Sequence, residues 1–244
     1  MLARRRPTIP AVPRTNGAAM TLDAGGAAEV AAALVVSYLL GSVPAAVVVA
    51  RRRHVDIRAV GDRNPGFWNA RATLGARAAA PVLVIDAAKG AAAALLGTLV
   101  AHRLGHPPGV GWRWSVPYLC GLAAMVGHAW PVLARFRGGR CVLTFLGAWL
   151  VINPVELLVA AGVALVVYAV LRRFSPAVRV GVACLPVVQA FTDPRGRVAM
   201  TGVMMTLIGL RFLQAALATR ADRADRAAPA AGAAPAVSAS RRRR

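Results

Sequence analysis

The chain has few acidic residues, few cysteines and almost no lysine. Nine Asp and Glu residues stand against thirty Lys and Arg in 244 residues, which gives a formal net charge of +21. Cys120, Cys141 and Cys184 are widely spaced within or beside apolar stretches, which excludes a disulfide framework and a cysteine metal site. Lys89 is the single lysine, and this favours a role for an ammonium group at that position.

The chain is rich in apolar residues. Their share of 57% and the positive mean hydropathy exceed the usual values for a soluble domain. A soluble chain with this charge would be expected to bind nucleic acid, but here the arginines gather in short segments between apolar runs. The sequence therefore predicts an integral membrane protein that meets membrane lipids or an anionic substrate, and no nucleic acid.

Long apolar runs predict how often the chain crosses the membrane, since a spanning helix needs about 20 apolar residues. The runs lie near residues 27–50, 80–101, 116–134, 141–153, 155–171, 177–192 and 198–218. We therefore predict an all-α fold, a polytopic integral membrane helix bundle with about seven transmembrane helices. Only Asn153-Pro154 separates the fourth run from the fifth, so six spans with one broken helix is the alternative.

The termini differ in composition from this membrane region. Residues 26–219 are expected to form the membrane domain, residues 1–25 a basic, disordered segment, and residues 220–244 a disordered tail rich in Ala, Pro and Arg. Cytoplasmic loops carry the excess of basic residues, and this predicts an external N-terminus and a cytoplasmic C-terminus. Basic residues before Met20, an alternative start, argue the other way but are outnumbered by those of the loops.

Three polar clusters stand where apolar runs end or break. They are Gly41–Pro44 together with Asp56–Asn69, the Asp86/Lys89/Gly90 step, and the segment from Gly127-His128 to Arg140. Charge at membrane depth costs about 2.5–3.5 kcal/mol per residue, so ionisable groups retained there are functional candidates. The predicted topology puts all three clusters on or near the cytoplasmic side.

Each cluster alone has a structural interpretation. The Gly-Ser-x-Pro sequence fits a helix kink, Asp86 and Lys89 at i, i+3 fit a pair that neutralises itself, and His128 fits an interfacial side chain. Gly138-Gly139 fits a turn, but glycine amides before a helix N-terminus also suit an anion. The occurrence of all of them together, in this order, favours a phosphate-binding site.

As a set, these motifs resemble the membrane glycerol-3-phosphate acyltransferases that use acyl phosphate as donor, the PlsY type. The family's Gly-Ser-x-Pro matches residues 41–44, and its Asp-Ile-Arg-x-x-Gly followed by Asn-x-Gly matches residues 56–66. Its Asp-x-x-Lys-Gly matches residues 86–90, and its Gly-His-x-x-Pro with Phe-x-Gly-Gly matches residues 127–139. The resemblance covers roughly residues 30–217.

The resemblance implies transfer of a fatty acyl group from acyl phosphate to glycerol 3-phosphate, which yields lysophosphatidate for phospholipid synthesis in the plasma (inner) membrane of a bacterium. No cofactor or metal is expected, because the donor is already activated. An enzyme that forms acyl phosphate is a further expected partner. The implied catalytic residues are Ser42, Arg58, Lys89 and His128. The implied phosphate-binding residues are Asn64, Asn69, Gly138, Gly139 and Arg140.

The chain departs from the family pattern in several places. Arg140-Cys141 stands where the family has Lys-Gly, Asp62-Arg63 replaces Ser-Gly, and Phe67-Trp68 replaces Ala-Thr. In the last span the family has a His, an Asn three residues on and a later Glu, whereas this chain has Arg211 and Gln214. The alternative is therefore a catalytically weak paralogue that binds a lipid or polyol phosphate or scaffolds another membrane enzyme. A transporter is less favoured, since no inverted repeat is visible.

Overall fold

A computed structural model describes residues 24–104 and 112–227, and within these ranges the regular structure is entirely helical. The helices are α1 (Ala24–Gly41), α2 (Ala45–Arg51), α3 (Phe67–Leu74), α4 (Ala76–Arg103), α5 (Val116–Ala129), α6 (Val142–Ile152), α7 (Pro154–Leu171), α8 (Phe174–Thr192) and α9 (Arg195–Ala227). Short 3-10 turns occupy Trp112–Ser115 and Val132–Ala134.

All seven apolar runs of the sequence are helical in the structure, and the predicted all-α bundle is confirmed. Five segments of the described chain are long and apolar enough to cross a membrane, namely Ala24–Arg51, Ala76–Arg103, Val116–Ala134, Pro154–Leu171 and Arg195–Ala224. The apolar helices Val142–Ile152 and Pro176–Thr192 are shorter. The number of seven spans, and the six-span alternative, therefore remain predictions.

Small residues bring the central helices into close contact. A Cβ added at Gly90 of α4 would overlap the Thr144 carbonyl of α6, and one added at Gly147 of α6 would overlap the Ala87 carbonyl of α4. A side chain at Gly41 of α1 would overlap the Ala124 carbonyl of α5 in the same way. Membrane helices associate through this kind of tight van der Waals packing, because lipid supplies no hydrophobic drive between them. Helix α4 thus lies at the centre, packed against α1, α5 and α6.

Two breaks in the helices shape the bundle. The Gly-Ser-x-Pro kink is present: α1 ends at Gly41, and α2 restarts after Pro44, which has no N–H to donate. Helices α6 and α7 meet at Asn153, whose φ of −141° interrupts the helix. The loop between α2 and α3, and the loop between α5 and α6, then fold over the same end of the bundle, which we call the basic end.

The first and last helices extend beyond the predicted bounds of the membrane domain, whose division from the terminal segments remains a prediction. Helix α9 continues to Ala227, so the first eight residues of the segment predicted to be disordered, 220–227, are helical. Its Ala and Arg residues are good helix formers, and Asp222 forms an ion pair with Arg63. Helix α1 begins at Ala24, two residues before the predicted boundary. Residues 1–23 and 228–244, on which the rest of these predictions falls, lie outside the described residues.

Candidate functional site

The three polar clusters of the sequence come together at the basic end, around a small inner cavity. Its volume is only about 10 Å³, which is room for about one water molecule. Its wall includes side chains or backbone from α4, α5 and both loops: Val43, Pro44, Asp86, Lys89, His128, Arg137, Gly138 and Gly139.

A buried carboxylate links two of the predicted catalytic residues. The Oδ1 atom of Asp86 lies 2.9 Å from the Nζ of Lys89 and 3.5 Å from the Nδ1 of His128. All three side chains are less than 10% exposed. Lys89 also donates a 3.2 Å hydrogen bond to the Val43 carbonyl. Val43 lies in the break between α1 and α2, so its carbonyl takes no part in helical hydrogen bonding. Because buried charge is costly unless it is paired, Asp86 is what allows an ammonium group to stay at this depth.

The Gly138-Gly139 turn closes the cavity. The Gly138 N–H donates to the Ala129 carbonyl and the Gly139 N–H to the His128 carbonyl, each at 3.1 Å. Only glycine fits here, because a Cβ at Gly138 would overlap the His128 carbonyl and one at Gly139 would overlap the His128 Nε2. The two backbone N–H groups that were predicted to hold phosphate therefore donate to carbonyls at the end of α5 in this structure.

Arg211 of α9 fastens the same turn from the other side. Its Nε donates to the Gly139 carbonyl at 3.1 Å, and its Nη2 donates to the Gly138 carbonyl at 2.8 Å. Its Nη1 donates to the Gln214 Oε1 at 2.8 Å, and its guanidinium lies over the Trp130 ring at 5.2 Å. Reasoning from the sequence did not select Arg211, although a charge inside the last apolar run was a signal for it.

Arg58 approaches the loop between α5 and α6 from outside the inner cavity. Its Nη2 donates to the Arg137 carbonyl at 2.6 Å and to the Ala134 carbonyl at 3.2 Å. Burial lowers the pKa of the Arg58 guanidinium, Asp56 opposes this shift, and Arg51 and Arg137 add to it. The side chain lines a separate pocket of about 630 Å³, so Arg58 does not itself line the inner cavity.

Two predicted polar contacts serve the scaffold. Asn69 is buried, and its Nδ2 donates to the Ile57 and Val60 carbonyls at 2.9 and 3.0 Å, which uses both N–H groups of its amide. The Ser42 hydroxyl donates to the Tyr38 carbonyl one turn earlier at 2.9 Å. Asn69 therefore braces the loop that presents Arg58, and Ser42 supports the kink beside Lys89. Neither residue directs a free N–H or O–H into the inner cavity.

Most of the departures from the family pattern gather around a polar pocket of about 310 Å³ between the α2–α3 loop and α9. Asp62, Arg63, Asn64, Arg140, Arg211, Gln214 and Asp222 are among its lining residues. Arg140 pairs with Asp62 at 2.9 Å, and Arg63 pairs with Asp222. Residues that looked like separate losses in the sequence thus form one connected set of contacts.

An apolar pocket of about 440 Å³ opens on the other side of Arg140. Its polar lining residues are Asp62, Asn64, Asp86, His128, Arg140 and Arg179. Its remaining wall is mostly apolar and includes Phe67, Trp68, Leu143, Val178, Val182, Met205, Ile208 and Phe212. The His128 imidazole therefore lies where an apolar chamber meets the charged groups. In the described part of the chain, no three His, Cys, Asp or Glu residues are close enough to hold a metal ion.

Comparisons with known proteins agree with this architecture. The glycerol-3-phosphate acyltransferase family profile matches residues 31–218. Glycerol-3-phosphate acyltransferase 5 of Dehalococcoides mccartyi is 37% identical over 158 residues, which are 64% of this chain and 63% of that relative. The glycerol-3-phosphate acyltransferase of Clostridioides difficile is 38% identical over 154 residues, which are 63% of this chain and 73% of that relative.

Solved structures give the same answer for the fold. Crystal structures of PlsY (YgiH), an integral membrane glycerol 3-phosphate acyltransferase, superpose with TM-scores of 0.65 in the glycerol 3-phosphate form and 0.63 in the lysophosphatidic acid form. They share 27% and 26% identity with this chain, and the matches cover 80% and 78% of it and 93% of the solved chain. The chain belongs to the glycerol-3-phosphate acyltransferase family of integral membrane proteins.

Proposed function

We propose that the basic end transfers an acyl group from acyl phosphate to glycerol 3-phosphate and releases lysophosphatidate. The observation that supports this most directly is the position of Asp86, Lys89 and His128, which are buried together in the wall of the inner cavity. Asp86 and His128 also line the apolar pocket, and Gly138 of the same cavity wall lines the polar pocket. A fatty acyl chain and a phosphorylated polyol need these two environments, and the reaction takes place where they meet.

The polar pocket receives glycerol 3-phosphate. Its cation Arg140 attracts the phosphate, and in this structure the Asp62 carboxylate pairs with Arg140 at 2.9 Å. This ion pair is partly exposed, and such pairs contribute at most about 1 kcal/mol. A doubly charged phosphate can therefore displace the Asp62 carboxylate from Arg140.

The apolar pocket receives the acyl chain of the donor, with the acyl phosphate group towards Lys89 and the Gly138-Gly139 turn. The inner cavity of about 10 Å³ is too small for a phosphate, so the turn must open. The hydrogen bonds that its two backbone N–H groups donate to the Ala129 and His128 carbonyls are then replaced by hydrogen bonds to phosphate oxygens. Arg58, which holds the preceding carbonyls, keeps the loop in place on its outer side.

The chemistry needs no covalent intermediate on the enzyme. A hydroxyl oxygen of glycerol 3-phosphate attacks the acyl carbon, the bond from that carbon to the phosphate oxygen breaks, and inorganic phosphate leaves with the electron pair. The hydroxyl proton passes to the His128 Nε2 or to a phosphate oxygen of the substrate itself. Lys89 neutralises the leaving phosphate, and Asp86 keeps Lys89 and His128 in position.

Arg211 acts in this proposal as a positioning residue. It binds the two carbonyls of the Gly138-Gly139 turn through a planar fork and couples them to Gln214 of α9. An Arg fork fixes geometry better than a single ammonium does. Helix α9 can thus set how far the turn opens, although this chain has neither the His nor the Asn that the family pattern has in this span.

For the topology, we propose an external N-terminus and a cytoplasmic C-terminus, in a bacterial plasma membrane. Arginines are concentrated at the basic end, in the loops after α2, α5 and α7, and cytoplasmic loops carry this excess. Substrates that carry phosphate would then enter from the cytoplasm. An enzyme that forms acyl phosphate remains the predicted partner.

The test is acyl transfer by the purified full chain. Palmitoyl phosphate and labelled glycerol 3-phosphate are added to the protein in detergent micelles, and the lipids are separated by thin-layer chromatography. Labelled lysophosphatidate that depends on both substrates supports the proposal. If no product forms but glycerol 3-phosphate raises the unfolding temperature of the protein, the proposed activity is wrong and the chain is a paralogue that only binds. A reaction without acyl phosphate is the control.

A further inference from the structure

A second basic pocket borders the inner cavity, between α2 and the loop that joins α5 to α6. Its volume is about 630 Å³, and it is lined by Pro44, Val47, Val48, Arg51, Arg58, Leu133, Ala134, Arg135 and Arg137. Four of these nine residues are arginines and none is acidic. We call this cavity the arginine pocket.

The positive charge of the arginine pocket is not balanced within its lining. Arg51, Arg135 and Arg137 are exposed, and Arg58 is half-buried against the loop. The carboxylate of Asp56, which does not line the pocket, accepts a hydrogen bond from the Arg58 backbone N–H at 3.0 Å. Like charges held together in this way repel each other, so the pocket is complementary to an anion. This differs from Arg140 and Arg63, each of which has its own carboxylate partner.

The rim of the arginine pocket is apolar. Val48 is 42% exposed and Leu133 is 64% exposed, and both line the pocket beside the guanidinium groups. Val132 and Phe136, which flank this segment of the loop, are exposed as well. The pocket also includes Arg51, the last residue of the candidate spanning segment Ala24–Arg51. A soluble anion needs the guanidinium groups but has no use for the apolar rim.

We propose that the arginine pocket binds an anionic phospholipid of the surrounding leaflet. The lipid phosphate lies between Arg51 and Arg135, and the acyl chains lie along Val48 and Leu133. Basic groups at a membrane surface attract anionic lipids, and arginine recognises phosphate through two parallel hydrogen bonds. Pro44, Val47 and Arg137 line both this pocket and the inner cavity, whereas Arg51 and Arg135 line only the arginine pocket. The proposed lipid site therefore uses arginines that take no part in the substrate site, and it does not depend on the acyl transfer proposed above.

The experiment compares two double variants with equal charge. Arg51→Gln/Arg135→Gln removes two charges from the pocket. Arg172→Gln/Arg173→Gln removes two exposed arginines from the turn between α7 and α8, near Phe174, whose ring contacts Trp68 of α3 at the same end of the bundle. The full chain is exchanged into nanodiscs of phosphatidylcholine with increasing amounts of phosphatidylglycerol. Phosphatidylglycerol bound to each protein is then counted by native mass spectrometry.

The pocket variant is expected to bind phosphatidylglycerol roughly 30-fold more weakly than the natural chain, since two surface charges are lost. The control variant is expected to bind as the natural chain does. Equal loss in both variants means that charge at this end attracts lipid without a site, and overturns the proposal. So does retention of tight binding by the pocket variant.

Two further arms keep the result interpretable. Arg51→Lys/Arg135→Lys keeps the charge and is expected to restore most of the binding, which shows that a loss in the Gln variant is not caused by misfolding. Inorganic phosphate is added to the natural chain in discs of phosphatidylcholine alone. If it raises the unfolding temperature as much as phosphatidylglycerol does, and this effect is absent in the pocket variant, the ligand is an aqueous anion and the lipid proposal is wrong.

Discussion

Two buried polar clusters, at opposite ends of the same bundle, differ in how their charges are satisfied. At the end away from the arginine-rich loops, Asn153 and Gln189 donate to the Tyr118 hydroxyl at 3.1 and 3.0 Å. Both amides also donate to Asp193, at 3.3 and 2.9 Å. Asp193 in turn pairs with Arg197 at 2.9 Å. This cluster, which we call the far cluster, joins α5, the junction of α6 and α7, α8 and α9. Its one carboxylate is matched by one guanidinium.

At the basic end, the positively charged groups outnumber the carboxylates. One carboxylate, Asp86, serves both Lys89 and His128, while the arginines of the adjacent pockets exceed their acidic partners. An added Cβ would clash at Gly138 and at Gly139 of its turn. Three pockets lie at the basic end. Polar groups at membrane depth are functional candidates by default. The two clusters therefore differ in a surplus of one charge beside a cavity, which the basic end has and the opposite end lacks, rather than in polarity alone.

Removing the ammonium group should have the largest effect. Lys89→Met is expected to lower acyl transfer by roughly 100- to 1,000-fold, the size of effect seen when a charge-stabilising donor is lost from other active sites. It also removes the ammonium partner of the buried Asp86 and leaves only His128 beside it, and breaking a buried ion pair in this way costs about 3–5 kcal/mol of stability. Initial rates of lysophosphatidate formation and the unfolding temperature measure the two effects.

A paired change separates the two effects of Lys89. Asp86→Asn/Lys89→Met removes both charges and should recover much of the stability without recovering the rate. A rate near that of the natural chain in the double variant would show that the pair only holds the bundle together, as the far cluster does.

The next effect in size concerns the glycine turn. Gly139→Ala places a methyl group against the His128 Nε2, and a misplacement of about 1 Å at a reacting group can cost roughly 100-fold in rate. Gly202→Ala in α9 is the matched control, because its added Cβ meets nothing within 4 Å. Equal rates for the two variants would contradict a catalytic position for His128.

A smaller effect is expected at Arg211. Arg211→Lys keeps the charge but loses the fork that binds the Gly138 and Gly139 carbonyls. We expect about a tenfold lower kcat, with the KM for glycerol 3-phosphate less affected, since the turn rather than the ligand loses its support. Steady-state kinetics test this, with the exposed Arg220→Lys as control. A change in KM alone would instead place Arg211 directly on the substrate.

The smallest effect on the rate is expected at the far cluster. Asp193→Asn breaks the pair with Arg197 and should lower stability by about 1–3 kcal/mol, while the rate per folded molecule stays within about twofold. Thermal unfolding and the rate well below the unfolding temperature are the two measurements. A rate loss as large as that of Gly139→Ala would mean that both ends take part in the reaction.

The sequence predicted the fold better than the details of the site. Apolar run length and the cost of polar backbone in lipid leave little choice but helices, so all seven helical runs were recognised. Lys89, His128 and the Gly138-Gly139 turn were selected because charge and glycine at membrane depth need a reason, and the structure brings them to one cavity. Their roles in binding and catalysis remain predictions.

The polar residues of the loops were harder to interpret. Asn69 looked like a phosphate ligand, but both its N–H groups go to backbone carbonyls of the preceding loop. The sequence does not show which backbone carbonyls lack a hydrogen-bond donor after folding. A buried Asn side chain donates to such carbonyls where the fold places them beside it. Arg211 was passed over for the related reason that its partners, Gly138 and Gly139, are more than 70 residues away in the chain.

The sequence alone determined that this protein is a helical membrane bundle with a basic end, because hydropathy and charge act on each segment independently of its neighbours. Only the tertiary structure decided which charges are paired and which lie in a pocket without an acidic partner. Asp62 and Asp222 neutralise Arg140 and Arg63, whereas the lining around Arg51 and Arg135 contains no acidic residue. Pairing depends on distances of a few ångströms between residues far apart in the chain, and those distances exist only once the helices have packed.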